Sequence, residues 1–178
     1  MHGNERVEIE LKEVSFNYHN REEFALSDIN LEIQKGEFVG IIGNSGAGKT
    51  SLTQVINGVI PHHFEGDFYG QAIVKGHDTL ETKPEELSRL IGSVFQDVDA
   101  QMVATIVEDE LLFGLENFHV AREEIESRIE EALKLTGTLK LRYRSIATLS
   151  GGQKQKVAIA AIIALRPEII VLDEPTGE

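Results

Sequence analysis

The chain has 178 residues, 41% of them hydrophobic, enough for one core with a subdomain, and its net charge of −13 argues against a nucleic-acid backbone as the main partner. Cysteine is absent, which excludes disulfides and thiolate metal sites and fits a cytosolic protein. The longest apolar run, Val157 to Leu165, is too short to span a bilayer, and the N-terminus lacks a signal-peptide pattern.

Val7, Ile9 and Leu11 alternate with Glu8, Glu10 and Lys12, and Ile29, Leu31 and Ile33 repeat that period, so two half-buried antiparallel strands are predicted first. The apolar run Phe38 to Ile42 is predicted as a strand leading into Gly43-Asn44-Ser45-Gly46-Ala47-Gly48-Lys49-Thr50. That octet has the pattern GxxxxGK[ST], and Leu52, Val55 and Ile56 continue it as a helix. Glycines there let successive amide hydrogens turn inward on phosphate oxygens, and the helix N-terminus adds its positive dipole end. Lys49 would reach the β- and γ-phosphates of ATP, and the Thr50 hydroxyl would hold Mg²⁺. His62, His63 and His77 lack a spaced carboxylate or cysteine partner and read as polar loop.

Thr82 and Glu85 have the spacing of a capping box for a short helix carrying Leu87, Leu90 and Ile91. From Asp97 to Leu149 the chain reads as helix and loop. Within it, Arg122 to Leu135 places Ile125, Ile129, Ala132 and Leu133 on one stripe and five glutamates elsewhere. Acidic side chains far outnumber basic ones between Glu81 and Glu131, the pattern of a solvated helical face. A sharper reading is a surface for basic cytoplasmic loops of a membrane protein, with Gln96 to Gln101 and the acids Glu108, Asp109 and Glu110 facing that partner.

Ser150 and Gln153 form a second capping box, opening a helix that is apolar nearly all round and stops before Pro167. Gly151-Gly152 is costly in a first helical turn unless something approaches the backbone closely, as a phosphate would. Ile169 to Leu172 is predicted as a strand buried on both faces of a parallel sheet. Asp173 and Glu174 then emerge at its C-terminal edge, where open α/β sheets bind ligands. Asp173 can organise Mg²⁺ through its hydration shell, and Glu174 can polarise the water that attacks the γ-phosphate.

With Leu149-Ser150-Gly151-Gly152-Gln153 between the phosphate loop and the acidic pair, the sequence resembles the ATP-binding cassette (ABC) family of transporter ATPases over almost its whole length. The resemblance implies an α/β fold: a phosphate-loop NTPase (RecA-like) parallel sheet core, an N-terminal antiparallel β-subdomain and an inserted α-helical subdomain. It implies one cassette over 1–178, with 1–96 as β-subdomain and first part of the core, 97–149 as helical subdomain, and 150–178 as signature helix and acidic strand. It assigns nucleotide contacts to Tyr18, which matches the aromatic that stacks on adenine, to Asn44 through Ser51, and to Ser150, Gly151, Gly152 and Gln153, which close over ATP held by a second subunit. Gln96 matches the glutamine that senses Mg²⁺ and the membrane subunit, joining Thr50 and Asp173 as metal contacts and Glu174 as catalytic residue.

A narrower resemblance, to the energy-coupling factor ATPases of vitamin and metal-ion uptake, rests on Phe95 to Gln101, Val103 to Glu110, Phe113 to Asn117 and Ser150 to Ala160. Val98 departs from that group's usual proline and Lys156 from its usual arginine. The implied partners are a second ATPase subunit, identical or related, and integral membrane transporter subunits. The implied place is peripheral, on the cytoplasmic face of the cell membrane. Rival readings are a soluble ABC ATPase of DNA repair or translation, and a nucleotide-binding module without turnover. The spacing between phosphate loop and signature leaves no room for a long coiled-coil insertion of the repair type.

The family continues past its acidic pair to a strand ending in a histidine at the γ-phosphate. Pro175 to Glu178 alone follow Glu174 here, and all six histidines precede Ser150. The sequence therefore reads as an incomplete cassette, expected to bind nucleotide and to hydrolyse ATP negligibly.

Overall fold

Alternating apolar and polar side chains produce β1 (Val7–Tyr18) and β2 (Leu26–Gln34), which pair antiparallel as the sequence predicts. The computed structural model describes residues 7–174, and the chain divides between Leu90 and Ile91 into two compact units. The first unit holds a four-stranded antiparallel sheet in the order β2-β1-β3-β4, completed by β3 (Gly66–Val74) and β4 (His77–Asp78). It also contains α1 (Lys49–Ile56), α2 (Val59–His62) and α3 (Pro84–Leu87).

A bulge in β1 decides which side chains this sheet buries. Both of its ladders slip between Leu11 or Lys12 and the next paired residue, and Glu13 takes a φ of 51°. Burial accordingly changes phase, from Ile9 and Leu11 before the bulge to Val14 and Phe16 after it. With a period of two, Tyr18 follows Phe16 onto the same face. At the start of the strand the predicted alternation gives way. Val7 is 37% exposed and Glu8 is buried, its carboxylate 3.0 Å from Lys75 Nζ at the β3–β4 turn. A cation at that turn is what permits the acid to leave water.

Two other local expectations fail. Phe38 to Ile42 forms no strand, and Phe38 is 99% and Ile42 94% exposed. β-forming side chains do not suffice, because a strand exists through its hydrogen bonds to a neighbour, and this segment has no ladder partner among the described residues. The predicted Thr82–Glu85 capping box is also absent. Proline's fixed φ suits the first helical position, so Pro84 moves the cap to Lys83, α3 is one turn long, and Ile91 belongs to the following strand.

The second unit contains β5 (Ile91–Val94), α4 (Val98–Gln101), α5 (Val107–Asn117), α6 (Arg122–Leu135), two single-turn 3₁₀ helices, α7 (Gly151–Leu165) and β6 (Ile169–Leu172). Helix α6 has the predicted bounds, and its buried residues Ile129, Ala132 and Leu133 join Val107, Leu111, Leu115, Val157 and Ala160 in one apolar core. Burying such a stripe is what stabilises a helix of this length. β5 and β6 pair in parallel, as the apolar run predicts. Helix α7 comes so close to β5 that a Cβ at Gly92 would lie 2.3 Å from Ile162 Cγ2. Ile170 and Leu172 are 48% and 38% exposed, so among the described residues β6 is not buried on both sides.

Arg142 joins the helices of this unit. Its guanidinium grips both carboxylate oxygens of Glu126, at 2.8 and 2.7 Å, and also donates to Glu108 from Nε and Nη2. A planar fork facing a carboxylate gives two parallel charge-assisted bonds, which fixes α6 against the segment after it.

Candidate functional site

In the first unit, Gly48 closes the phosphate loop with φ +90°, and a Cβ there would lie 2.3 Å from the Ala25 carbonyl oxygen. Only glycine fits that backbone at that approach. Gly46 likewise has φ +81°. Helix α1 starts directly at Lys49 with no side-chain cap, so its first amides are left for another acceptor. Lys49 reaches back over its own loop, and Nζ donates to the carbonyls of Gly43 and Asn44, each at 3.0 Å. The ammonium thus stands over its own loop, tied among the described residues by bonds a bound phosphate can replace. Asn44, Ser45, Ala47 and Thr50 are exposed.

Tyr18 reaches the same helix. Its hydroxyl lies 3.1 Å from Ser51 Oγ and donates to Gln54 Oε1 at 3.3 Å. Its ring meets Phe16 and Phe64 edge-on, and the Arg21 guanidinium stands 5.5 Å above the ring centre. The aromatic is therefore half-buried and fixed against α1. Ser51, against that hydroxyl, is buried.

In the second unit the acidic pair leaves β6 beside the end of β5. The Asp173 amide donates to the Val94 carbonyl at 2.9 Å, and its side chain is buried. Glu174 is exposed with φ +47°, the left-handed basin that residues other than glycine seldom occupy. Gln96 Nε2 donates to Glu174 Oε2 at 2.6 Å, and Gln155 Nε2 donates to the Glu174 carbonyl at 3.2 Å. Two glutamines thus hold one glutamate, by its carboxylate and by its main chain.

The segment carrying Gln96 is folded back onto β5. Gln101 accepts from the Phe95 amide and donates to the Ser93 carbonyl, Asp97 caps α4, and Asp99 accepts from Lys154 Nζ at 2.6 Å. Of the three acids predicted to face a partner, Asp109 is exposed. Glu110 is instead buried, accepting from the Val103 and Ala104 amides at 3.0 and 2.7 Å, and Glu108 is paired with Arg142. Unpaired main-chain amides in the turn before α5 are costly, so Glu110 is recruited inward to satisfy them.

The Ser150–Gln153 capping box is present in full at the start of α7. A Cβ at Gly151 or Gly152 would meet nothing within 4 Å. The chain's own packing therefore gives no reason for this glycine pair. Gln155 and Arg142 carry no mark in the sequence, where Gln155 is one member of the polar run Gln153 to Lys156 at the start of α7.

The sequence family described as ABC transporter matches residues 26–177. The chain belongs to the ABC transporter ATP-binding family. A protein of Pyrococcus horikoshii, provisionally named an ABC transporter ATP-binding protein, is 46% identical over 170 residues, covering 96% of this chain and 60% of that protein. A Pyrococcus abyssi protein with the same provisional name is 45% identical, covering 96% of this chain and 61% of that one. The chain thus spans about 60% of the length of these relatives. Among solved structures, CbiO1 of Clostridium perfringens, described as part of the ABC transporter complex CbiONQ, superposes with a TM-score of 0.83 at 33% identity over 97% of this chain and 67% of that one. The ATP-binding cassette MJ0796, a dimer in a post-hydrolysis state bound to ADP and phosphate, gives 0.78 at 31% identity over 94% and 74%. The cassette accordingly has the α/β phosphate-loop fold of ABC ATPase domains. Among its described residues no helix is long and apolar enough to cross a membrane.

Proposed function

We propose that this chain is the ATP-binding and ATP-hydrolysing part of an ABC transporter of the energy-coupling factor type, acting as one of a pair of cassettes. Asn44 to Ser51 would cradle the phosphates, with Lys49 on the β- and γ-phosphates. Thr50, Gln96 and Asp173 would bind Mg²⁺, and Tyr18 would meet the adenine. Mg²⁺ would offset the charge that builds on the phosphates, and Glu174 would draw a proton from the attacking water. Ser150 to Gln153 would close over ATP held by the second cassette. Closure on nucleotide then moves attached membrane subunits, and hydrolysis reopens the pair.

The observation that carries this reading is the start of α7. A capped helix N-terminus opens with two glycines at which an added Cβ would meet nothing within 4 Å among the described residues, which suits a phosphate brought by another molecule. The energy-coupling factor reading is supported by the likeness to CbiO1. It places the protein on the cytoplasmic face of the membrane, with membrane subunits as partners and no nucleic acid. The modular division into 1–96, 97–149 and 150–178 belongs to the same proposal.

Purification of the tagged protein from its native membranes tests it. An integral membrane partner released by high salt is the expected result. Recovery in a soluble complex with nucleic acid would favour a repair or translation ATPase instead.

A further inference from the structure

Gln155 lies two residues beyond the capping box of α7, on a helix whose other buried residues are Val157, Ala158, Ala160 and Ala164. It is 9% exposed. Burying an amide is unfavourable unless its polar atoms find partners, and leucine or methionine would fill the space without that cost. Packing alone therefore does not call for glutamine. What glutamine supplies is a donor, aimed at the Glu174 carbonyl 3.2 Å away.

Glu174 is the residue in need of it. At φ +47° it occupies a basin that an L side chain keeps when its surroundings impose it. Gln155 holds its carbonyl and Gln96 its carboxylate. The adjacent residue of α7, Lys154, is tied to Asp99 on the segment that carries Gln96. One helical turn therefore fastens both the acid and the strand end that supplies its hydrogen-bond donor.

We propose that Gln155 is a positioning residue for ATP hydrolysis, holding the main chain of Glu174 so that its carboxylate stays against Gln96, and joining the first turns of α7 to the acid of the same chain. This rests on the ATPase reading given above. With Ser150 to Gln153 facing nucleotide on a second cassette, a displacement of α7 on closure passes to Glu174 through this amide. The acid is then in place when the neighbouring nucleotide is engaged, which ties hydrolysis to pairing.

The decisive variant is Gln155→Met, which keeps chain length, approximate volume and helix propensity while removing the donor. Steady-state phosphate release against ATP concentration is measured in the full protein, beside ATP affinity and thermal melting. The expected result is a fall in kcat of about tenfold, the loss of one hydrogen bond in the transition state, with KM, ATP affinity and Tm unchanged. Gln155→Glu, equally shaped and without an amide donor when ionised, should lose at least as much. If Gln155→Met retains wild-type kcat, or loses kcat together with Tm while KM rises, the residue merely fills space and the proposal is overturned. Lys49→Ala in the same assay separates the two levels. Phosphate release that survives it would sink the ATPase reading, independently of the Gln155 comparison.

Discussion

Gln96 and Glu174, 78 residues apart in sequence, are joined by a 2.6 Å hydrogen bond from the glutamine amide to the glutamate carboxylate. The amide donor holds one carboxylate oxygen in place, as a positioned general base requires. In the full protein, Glu174→Gln should therefore reduce phosphate release by about 10²–10⁴-fold, the span typical of general-base removal, without loss of ATP affinity. Single-turnover hydrolysis beside calorimetric binding measures both. Turnover close to wild type would deny Glu174 the role of base.

Lys49 makes its hydrogen bonds to the carbonyls of its own loop, so its loss subtracts phosphate affinity and little else. Lys49→Ala should weaken Mg-ATP binding roughly tenfold to a hundredfold, as expected for losing charged hydrogen bonds. Calorimetry with circular dichroism as a fold control decides the matter, and an unchanged dissociation constant would remove the phosphate-loop assignment.

Open space at Gly151 means that Gly151→Asp can fold, yet it sets a carboxylate where a neighbour's γ-phosphate is proposed to sit. The variant should bind ATP as wild type does and fail to pair in its presence. Sedimentation with ATP in the Glu174→Gln background reports this. Equal dimer formation with and without the change would refute a shared site.

Glu110 satisfies two main-chain amides from a buried position, whereas Asp109 beside it is exposed. Glu110→Ala should lower unfolding free energy by about 2–3 kcal/mol, the range for losing charge-assisted hydrogen bonds. Asp109→Ala should stay within about 0.5 kcal/mol, as surface changes do. Urea denaturation of the two variants provides the comparison, and equal midpoints would contradict it.

Glu126 is held below its ordinary pKa of 4.5, first by its hydrogen bonds with Arg142, against the opposing effect of desolvation, and then by that cation's charge. A carboxylate depressed in the folded state contributes stability that is present above its unfolded pKa and lost as pH falls through the folded value. The stability gap between wild type and Glu126→Gln should therefore be flat at neutral pH and shrink once pH drops below about 4.5. A gap that widened on acidification would mean that the ion pair does not set this pKa. Arg142, raised by the same Glu126 bonds above an already high value, stays charged throughout.

Chain-local physics determined what the sequence could show. The GxxxxGK[ST] spacing, the Ser150–Gln153 capping box, the alternation of Val7 to Leu11 and the apolar stripe of Arg122 to Leu135 each involve residues within a few positions of one another, and the elements they predict are present. Tertiary structure decided whatever depends on a partner distant along the chain. Phe38 to Ile42 has strand-forming residues and no ladder partner among the described residues. Glu8 and Glu110 read as surface acids until Lys75 and two main-chain amides draw them inside. Asp173 and Glu174 were legible as an acidic pair after a strand, whereas the grip of Gln96 and Gln155 on Glu174 was not. A hydrogen bond between distant residues leaves no period or spacing in the sequence, because its geometry is set by how helices and strands pack, and Gln155 stands in its sequence as one more polar residue of the run Gln153 to Lys156.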